Sequence, residues 1–298
     1  MDNSNLHWLA EYEQYLWSTG KKANSINTYA QAMRSFSRWY EDSTGEVFSP
    51  SSITPIDIAE YKRWLMNTKK PATINKAMAA LRVFCKWAVS EGYCQPGVGG
   101  DIKNLPLARR GAKWLTRKEQ LQLIRAVQKS GNARDIALIM VMLHGGLRVS
   151  EVVHLRKDDV ILSQRKAKVV VRYGKGNKWR EVPLNNDARK ALLQYQPSGQ
   201  GESPWFFCSS RSGKPLTTRA VQMAVSKYAR HVGLEVTPHR LRHTFCHNLV
   251  AAGVSLDVVA MLAGHITATG QPNIKTTVIY TTPGEQDLRF AVERLSWE

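Results

Sequence analysis

The chain has 298 residues, 43% of them hydrophobic, and carries 42 lysines and arginines against 24 aspartates and glutamates, a formal charge of +18. That length suits two domains, that apolar content excludes disorder as the main state, and no run approaches the roughly 18 apolar residues of a membrane span. The polar start from Met1 to Asn5 lacks the basic-then-apolar pattern of a secretion signal.

In chain order, the first expected helix carries Leu6, Leu9, Glu13 and Leu16 and stops at Gly20. Asn24 or Ser25 is placed to cap a second, whose apolar face is Ile26, Tyr29, Met33, Phe36 and Tyr40. Thr54-Pro55 with Asp57 three residues after the cap starts a third. Ile74, Ala77, Met78, Leu81 and Cys85 mark a fourth, closed by Gly92. Four helices with short connections imply a small bundle over residues 1–94. Glycine and proline crowd residues 95–100, and Arg109-Arg110 follows without periodicity, so 95–112 reads as a basic interdomain linker, either a plain tether or a strip along a phosphate backbone.

The second domain, 113–298, opens with a capping box at Thr116 and Glu119, followed by an apolar helix over Ile136–Leu143 that ends at Gly145-Gly146. The period then changes. Residues 168–173 and 179–184 read as strands joined by a turn at 174–177, and helices return at about 186–195, 218–232, 238–252, 255–263 and 284–295. The expected fold is mainly α with a small β-sheet in the second domain. The four cysteines, Cys85, Cys94, Cys208 and Cys246, show no Cys-x-x-Cys spacing and read as reduced thiols of a cytoplasmic protein. Of the net charge, +4 falls within residues 1–112 and +14 within 113–298. A charge of this size favours a polyanionic partner. No basic amphipathic helix stands alone, so nucleic acid is the better reading than a membrane surface.

Five local features of the second domain bear on chemistry, each with an ordinary explanation when taken alone. Arg148 follows the double glycine, with Glu151 three residues on to hold its guanidinium. Lys175 stands between two glycines at a hairpin tip. His239 and Arg242 share a face at a helix N-terminus, an end that favours anions. His265 follows Gly264 just past a helix end, and Tyr280 follows Thr276-Thr277-Val278-Ile279. Together they supply cationic and hydrogen-bonding donors able to neutralise a phosphodiester in its transition state, and a nucleophile to attack it. The acidic cluster of a two-metal nuclease is not evident.

These segments resemble, in order, the boxes of the tyrosine recombinases, the phage integrase family. Gly146-Leu147-Arg148-Val149-Ser150-Glu151 is similar to the first arginine box. Gly174-Lys175-Gly176-Asn177-Lys178 with Arg180-Glu181-Val182-Pro183-Leu184 is similar to the β-hairpin lysine segment. His239-Arg240-Leu241-Arg242-His243-Thr244-Phe245 is similar to the second box. Leu262-Ala263-Gly264-His265 and Thr276-Thr277-Val278-Ile279-Tyr280 are similar to the third histidine and the nucleophile segment. The likeness spans the whole chain and is greatest in style to Xer-like and transposon-encoded recombinases. It implies a helical SAM-like core-binding domain and an α/β catalytic domain clamped around duplex DNA. It also implies catalysis by Arg148, Lys175, His239, Arg242, His265 and Tyr280, with Glu151 in support and no metal, ATP or other cofactor. The implied partners are double-stranded DNA with specific sites, three further copies in a tetramer, and accessory DNA-bending proteins; no membrane partner is implied. Its place is the cytoplasm, on the nucleoid when bound.

The C-terminal helix, through Asp287, Leu288, Phe290, Ala291 and Leu295, is expected to dock on a neighbouring copy. Expected DNA contacts are Lys76, Arg82 and Lys86 of the fourth helix, with Thr73 and Asn75 beside them, and Arg219, Gln222, Lys227 and Arg240 of the second domain. A type IB topoisomerase and a non-catalytic DNA-binding regulator are the rival readings. One departure from the family is the interval of 15 residues from His265 to Tyr280, longer than usual. The added stretch, 267–273, is expected to be a mobile loop that governs delivery of the tyrosine or contacts between protomers, not activation of the phosphate.

Overall fold

The computed structural model describes residues 7–100, 102–107, 113–172, 179–195, 203–209, 212–267, 269–281, 292–293 and 295. The chain divides into two compact units, Met1–Arg109 and Arg110–Glu298. Among the described residues no helix is long and apolar enough to cross a membrane.

The first unit is built from α1 (His7–Ser18), α2 (Ala23–Thr44), α3 (Pro55–Thr68) and α4 (Pro71–Ser90). Helix α3 starts as its sequence requires: Thr54 Oγ1 accepts the Asp57 N–H at 3.3 Å, and Asp57 returns the favour to the Thr54 N–H at 2.8 Å. Helix α2 differs from expectation. It begins behind an extended Lys22 with no side-chain cap, because the Ser25 and Ile26 N–H groups already reach the Lys22 carbonyl. The core is aromatic. Tyr12, Phe36, Phe48, Phe84 and Trp87 are almost fully buried and meet largely edge to face or tilted.

The stretch after α4, expected as a linker, lies over Val98, Ile102 and Leu105 against this core. Irregular backbone needs partners, and helix side chains supply them. Asn75 donates to the Leu105 carbonyl at 2.9 Å and accepts the Leu105 N–H at 2.7 Å, Arg82 Nη2 donates to Asn104 Oδ1 at 2.9 Å, and Lys62 Nζ donates to the Lys103 carbonyl at 2.7 Å. Arg109 and Arg110 lie outside the described residues.

The second unit contains α5 (Arg117–Lys129), α6 (Ala133–Gly145), α7 (Val149–Val153), strands β1 (Val160–Leu162), β2 (Ala167–Val171) and β3 (Arg180–Leu184), then α8 (Asn186–Tyr195), α9 (Thr218–His231), α10 (Pro238–Ala251), α11 (Leu256–Ala263) and α12 (Ile274–Thr277). Thr116 and Glu119 form the expected capping box of α5. Helix α6 is the spine: every residue from Ala137 to Leu143 is buried. The sheet is antiparallel in the order β1-β2-β3, with Val169 opposite both Val160 and Val182. Strand β1 was not expected; three residues are too few to show alternation. The hairpin tip 173–178, and nearly all of the expected helix at 284–295, lie outside the described residues.

Candidate active site

The site grows from the ends of α6, α10 and α11. Helix α6 stops at Gly146, whose left-handed φ of +60° turns the chain toward Arg148. A side chain there would also fall 2.2 Å from the Phe245 ring, so only glycine fits. Arg148 precedes the short α7, and Glu151 folds back on it: Oε2 accepts the Arg148 N–H at 2.8 Å and Oε1 accepts from Nη1 at 2.8 Å. Arg148 Nη2 donates to the Gly264 carbonyl at 3.0 Å, and about a quarter of its side chain faces solvent.

Helix α10 begins at Pro238 with Thr237 as cap, and its first turns present His239 and Arg242. Arg242 is buried. It donates to the Gly146 carbonyl at 2.7 Å, to the Ala263 carbonyl, and to His265 Nε2 at 3.0 Å. Burial, with Arg148 nearby, pulls even this guanidinium down to about 10. Because Nε2 of His265 accepts from Arg242, the ring proton sits on Nδ1, which donates to Thr277 Oγ1 at 3.2 Å; the Thr277 hydroxyl in turn donates to the Asn273 carbonyl at 3.1 Å. His265 is held down to about 3 by burial and by Arg242, Arg148 and Arg180, so it is neutral near pH 7.

Tyr280, on a 3₁₀ turn after α12, is 2% exposed. Its ring lies parallel to His265 at 5.8 Å and edge-on to His243 at 5.1 Å. It packs with Phe245, Cys246, Val259 and Ala263. Burial raises its hydroxyl above the ordinary tyrosine range, Cys246 adds to the rise, and Arg242 opposes it. His239 is exposed and lies one helical turn from His243, with their Nε2 atoms 2.6 Å apart. Burial, Arg242 and Arg148 lower the first ring, while burial, His239 and Arg242 take the second down to about 4. Among the described residues no group of three or more His, Cys, Asp or Glu side chains could hold a metal ion.

Arg148, Glu151, His239, Arg242, His265 and Tyr280 therefore meet at one place, from segments up to 132 residues apart. Such a set of cations, neutral imidazoles and one phenol matches the boxes read from the sequence. The chain belongs to the phage integrase family.

The Phage integrase family matches residues 113–286, and its N-terminal SAM-like domain matches residues 8–94. The chain is 30% identical over 292 residues to tyrosine recombinase XerA of Thermococcus kodakarensis, across 96% of this chain and 94% of that one. It is 28% identical over 294 residues to the TnP I resolvase of Bacillus thuringiensis, across 96% and 98%. Its fold is that of the Tn1549 transposon integrase in complex with transposon right end DNA, with a TM-score of 0.72 at 20% identity over 96% of this chain and 98% of the other. XerH bound to its difH substrate gives 0.71 at 22% identity over 97% and 85%.

Three features of the site were not read from the sequence. His243 joins His239 to Tyr280, a contact that the i, i+4 spacing hints at. Arg180 is buried and holds Glu151. The signal for it was parity: Arg180 and Val182 share the inward face of β3, and an arginine on an inward face needs an anion. The long interval before Tyr280 is not a slack tether. Gly270, at φ +88°, turns the chain, Thr267 N–H bonds the Gln271 carbonyl at 2.8 Å, Ile266 bridges Pro272, and Asn273 N–H bonds the His265 carbonyl at 2.6 Å. Through these bonds the described residues of the added stretch close a turn.

Of the expected DNA-contacting residues, Lys76, Lys86, Arg219, Gln222 and Lys227 are exposed. The Arg82 guanidinium is engaged by Asn104, and that of Arg240 by the Glu235 and Trp114 carbonyls and by Glu119. Lys175 lies outside the described residues.

Proposed function

We propose that the chain is a site-specific recombinase that cleaves and rejoins duplex DNA through a 3′-phosphotyrosyl bond to Tyr280. The observation that carries this reading is the gathering of Arg148, Arg242, His265 and Tyr280 around the end of α11. The Tyr280 side chain leaves its buried place and its oxygen attacks the scissile phosphorus, while neutral His239 takes the phenolic proton. The phosphorus–O5′ bond breaks and Lys175 protonates the departing 5′-oxygen. Arg148 and Arg242 donate to the non-bridging oxygens, whose charge grows in the pentacovalent transition state. His265 donates to the same phosphate once its proton moves from Nδ1 to Nε2. The phosphotyrosyl ester keeps the energy of the broken bond, so a 5′-hydroxyl of a second duplex can reverse the step. Neither metal nor nucleotide enters this scheme.

Exchange between two sites requires four copies, each cutting one strand. The exposed Lys76, Lys86, Arg219, Gln222 and Lys227 are the residues to contact phosphates or base edges along each site. The substrate class is a pair of specific sites at the ends of a DNA element, joined, excised or resolved in the cytoplasm. The names of the relatives, a resolvase and a transposon integrase among them, support this class.

The test is Tyr280→Phe, which removes only the hydroxyl. The variant should bind site DNA as the wild type does and form no covalent adduct on a denaturing gel, where the wild type forms it in excess EDTA without nucleotide. Adducts that persist in the variant would assign the attack to another residue.

A further inference from the structure

Arg180 stands outside the set of residues that the family boxes assign to the phosphate, yet it sits beneath them. Its Nη1 and Nη2 hold the two carboxylate oxygens of Glu151 at 2.9 and 2.8 Å, and its Nε donates to the Leu262 carbonyl at 3.0 Å. The same Glu151 oxygens accept from the main chain and the guanidinium of Arg148. Glu151 is thus a bridge with one arginine on each side, and its own orientation is set by the bidentate one. Although burial alone would raise this carboxyl, bonds and charge from Arg180 first, and from Arg148 next, hold it down to about 2.

A second observation is independent of Glu151. The carbonyls of Leu262, Ala263 and Gly264, consecutive at the end of α11, each accept from a different arginine: Arg180, Arg242 and Arg148. A helix C-terminus leaves its last carbonyls without intrahelical partners and carries partial negative charge, which suits guanidinium donors. Gly264 makes the arrangement feasible: its φ is +63°, and a Cβ there would lie 2.8 Å from Arg180 Nη1. Arg180 therefore grips both elements that Arg148 leans on, the Glu151 carboxylate and the α11 terminus.

We infer that Arg180 is a positioning residue of strand cleavage: by fixing Glu151 and the end of α11 it holds the Arg148 guanidinium in the orientation that receives the scissile phosphate. The inference rests on the reading of Arg148 as a phosphate ligand. Lysine in place of Arg180 keeps the buried charge opposite Glu151 but offers a single point of contact, so it cannot hold both carboxylate oxygens and the Leu262 carbonyl together.

The experiment measures single-turnover adduct formation on a nicked duplex site, together with DNA affinity and thermal unfolding, for Arg180→Lys, Arg180→Gln, Arg148→Lys and the double variant Arg180→Lys/Arg148→Lys. Arg180→Lys should slow cleavage by about 10- to 100-fold, as expected for a displaced catalytic group, with DNA affinity and melting temperature close to wild type. Arg180→Gln should be slower still, and its melting temperature should fall because Glu151 loses its main partner. The double variant should cleave at nearly the rate of the slower single variant, because both changes act on one contact. Unchanged cleavage by Arg180→Lys, or losses that multiply in the double variant, would overturn the positioning role. Unchanged cleavage by Arg148→Lys alone would instead remove Arg148 from the phosphate, a distinct failure that takes the inference with it.

Discussion

The two units solve the problem of a stable interior in opposite ways. The first buries many rings: Trp8, Tyr12, Phe36, Trp39, Tyr40, Phe48, Tyr61, Phe84 and Trp87 pack with aliphatic side chains in its core, and Ser37 is its one buried polar residue among those described. The second buries Asp135, Glu151, Asp159, Arg180, Arg242, His243 and His265 beside its mainly aliphatic core. An aromatic core contributes stability and nothing chemical. A core threaded with charge is costly unless each member is paired, and the second unit pairs Glu151 with two arginines where the family's boxes gather. The lesson is that the placement of buried charge, more than total charge, separates the two units.

The sharpest way to break this comparison is Phe84→Ala. Phe84 is fully buried against Trp8, Tyr12, Phe48 and Trp87. Truncation should cost about 3–5 kcal/mol, read by urea unfolding, while the pH dependence of stability stays as in the wild type. A loss below about 1 kcal/mol would mean that the aromatic cluster is not what holds the first unit.

Glu151 gives the complementary case. Its carboxyl is held below the ordinary 4.5, down to about 2. A depressed carboxylate contributes stability that is complete above about pH 4.5 and is lost as pH falls toward 2, here on the order of 3 kcal/mol. Unfolding of the wild type followed from pH 6 to pH 2.5 should show that slope, and Glu151→Gln should flatten it. An equal slope in the variant would place the acid sensitivity elsewhere.

The smallest effect is expected at the turn before Tyr280. Replacing residues 267–272 by one glycine leaves His265-Ile266-Gly-Asn273, the spacing of a β-turn, in which the Asn273 N–H can still reach the His265 carbonyl. Adduct formation should stay within about twofold, since changes in the length of a surface loop cost only tenths of a kcal/mol. A large loss of cleavage would assign to this segment a controlling role in delivery of the tyrosine or in protomer contacts.

What could be read in advance was local. The capping pairs Thr54–Asp57 and Thr116–Glu119 lie within one turn, and the helical apolar faces repeat within a few residues, so both are visible in the chain. The five boxes were legible because each is contiguous. Arg180 and Glu151 are 29 residues apart, and Arg180 and Leu262 are 82 apart; no periodicity encodes which distant carbonyl a buried arginine will find. The closed turn escaped for the same reason on a smaller scale. Thr267, Gly270 and Pro272 signal a turn, but the bond between His265 and Asn273 that seals it depends on both ends being held by α11 and α12.

The end of α11 also sets an electrostatic balance. Three guanidinium groups converge there on one carboxylate and on a helix terminus worth about half a negative charge, and the neighbouring imidazoles are neutral. Leaving Lys175 aside, the pocket floor carries a net charge of about +1.5. A phosphodiester brings one negative charge and approaches two as a phenolate oxygen adds to it. On the proposed reaction, the floor would slightly overcompensate the resting phosphate and slightly undercompensate the pentacovalent one, so the phosphate would be held without being trapped, and the last half charge would be left for a donor that arrives with the reaction.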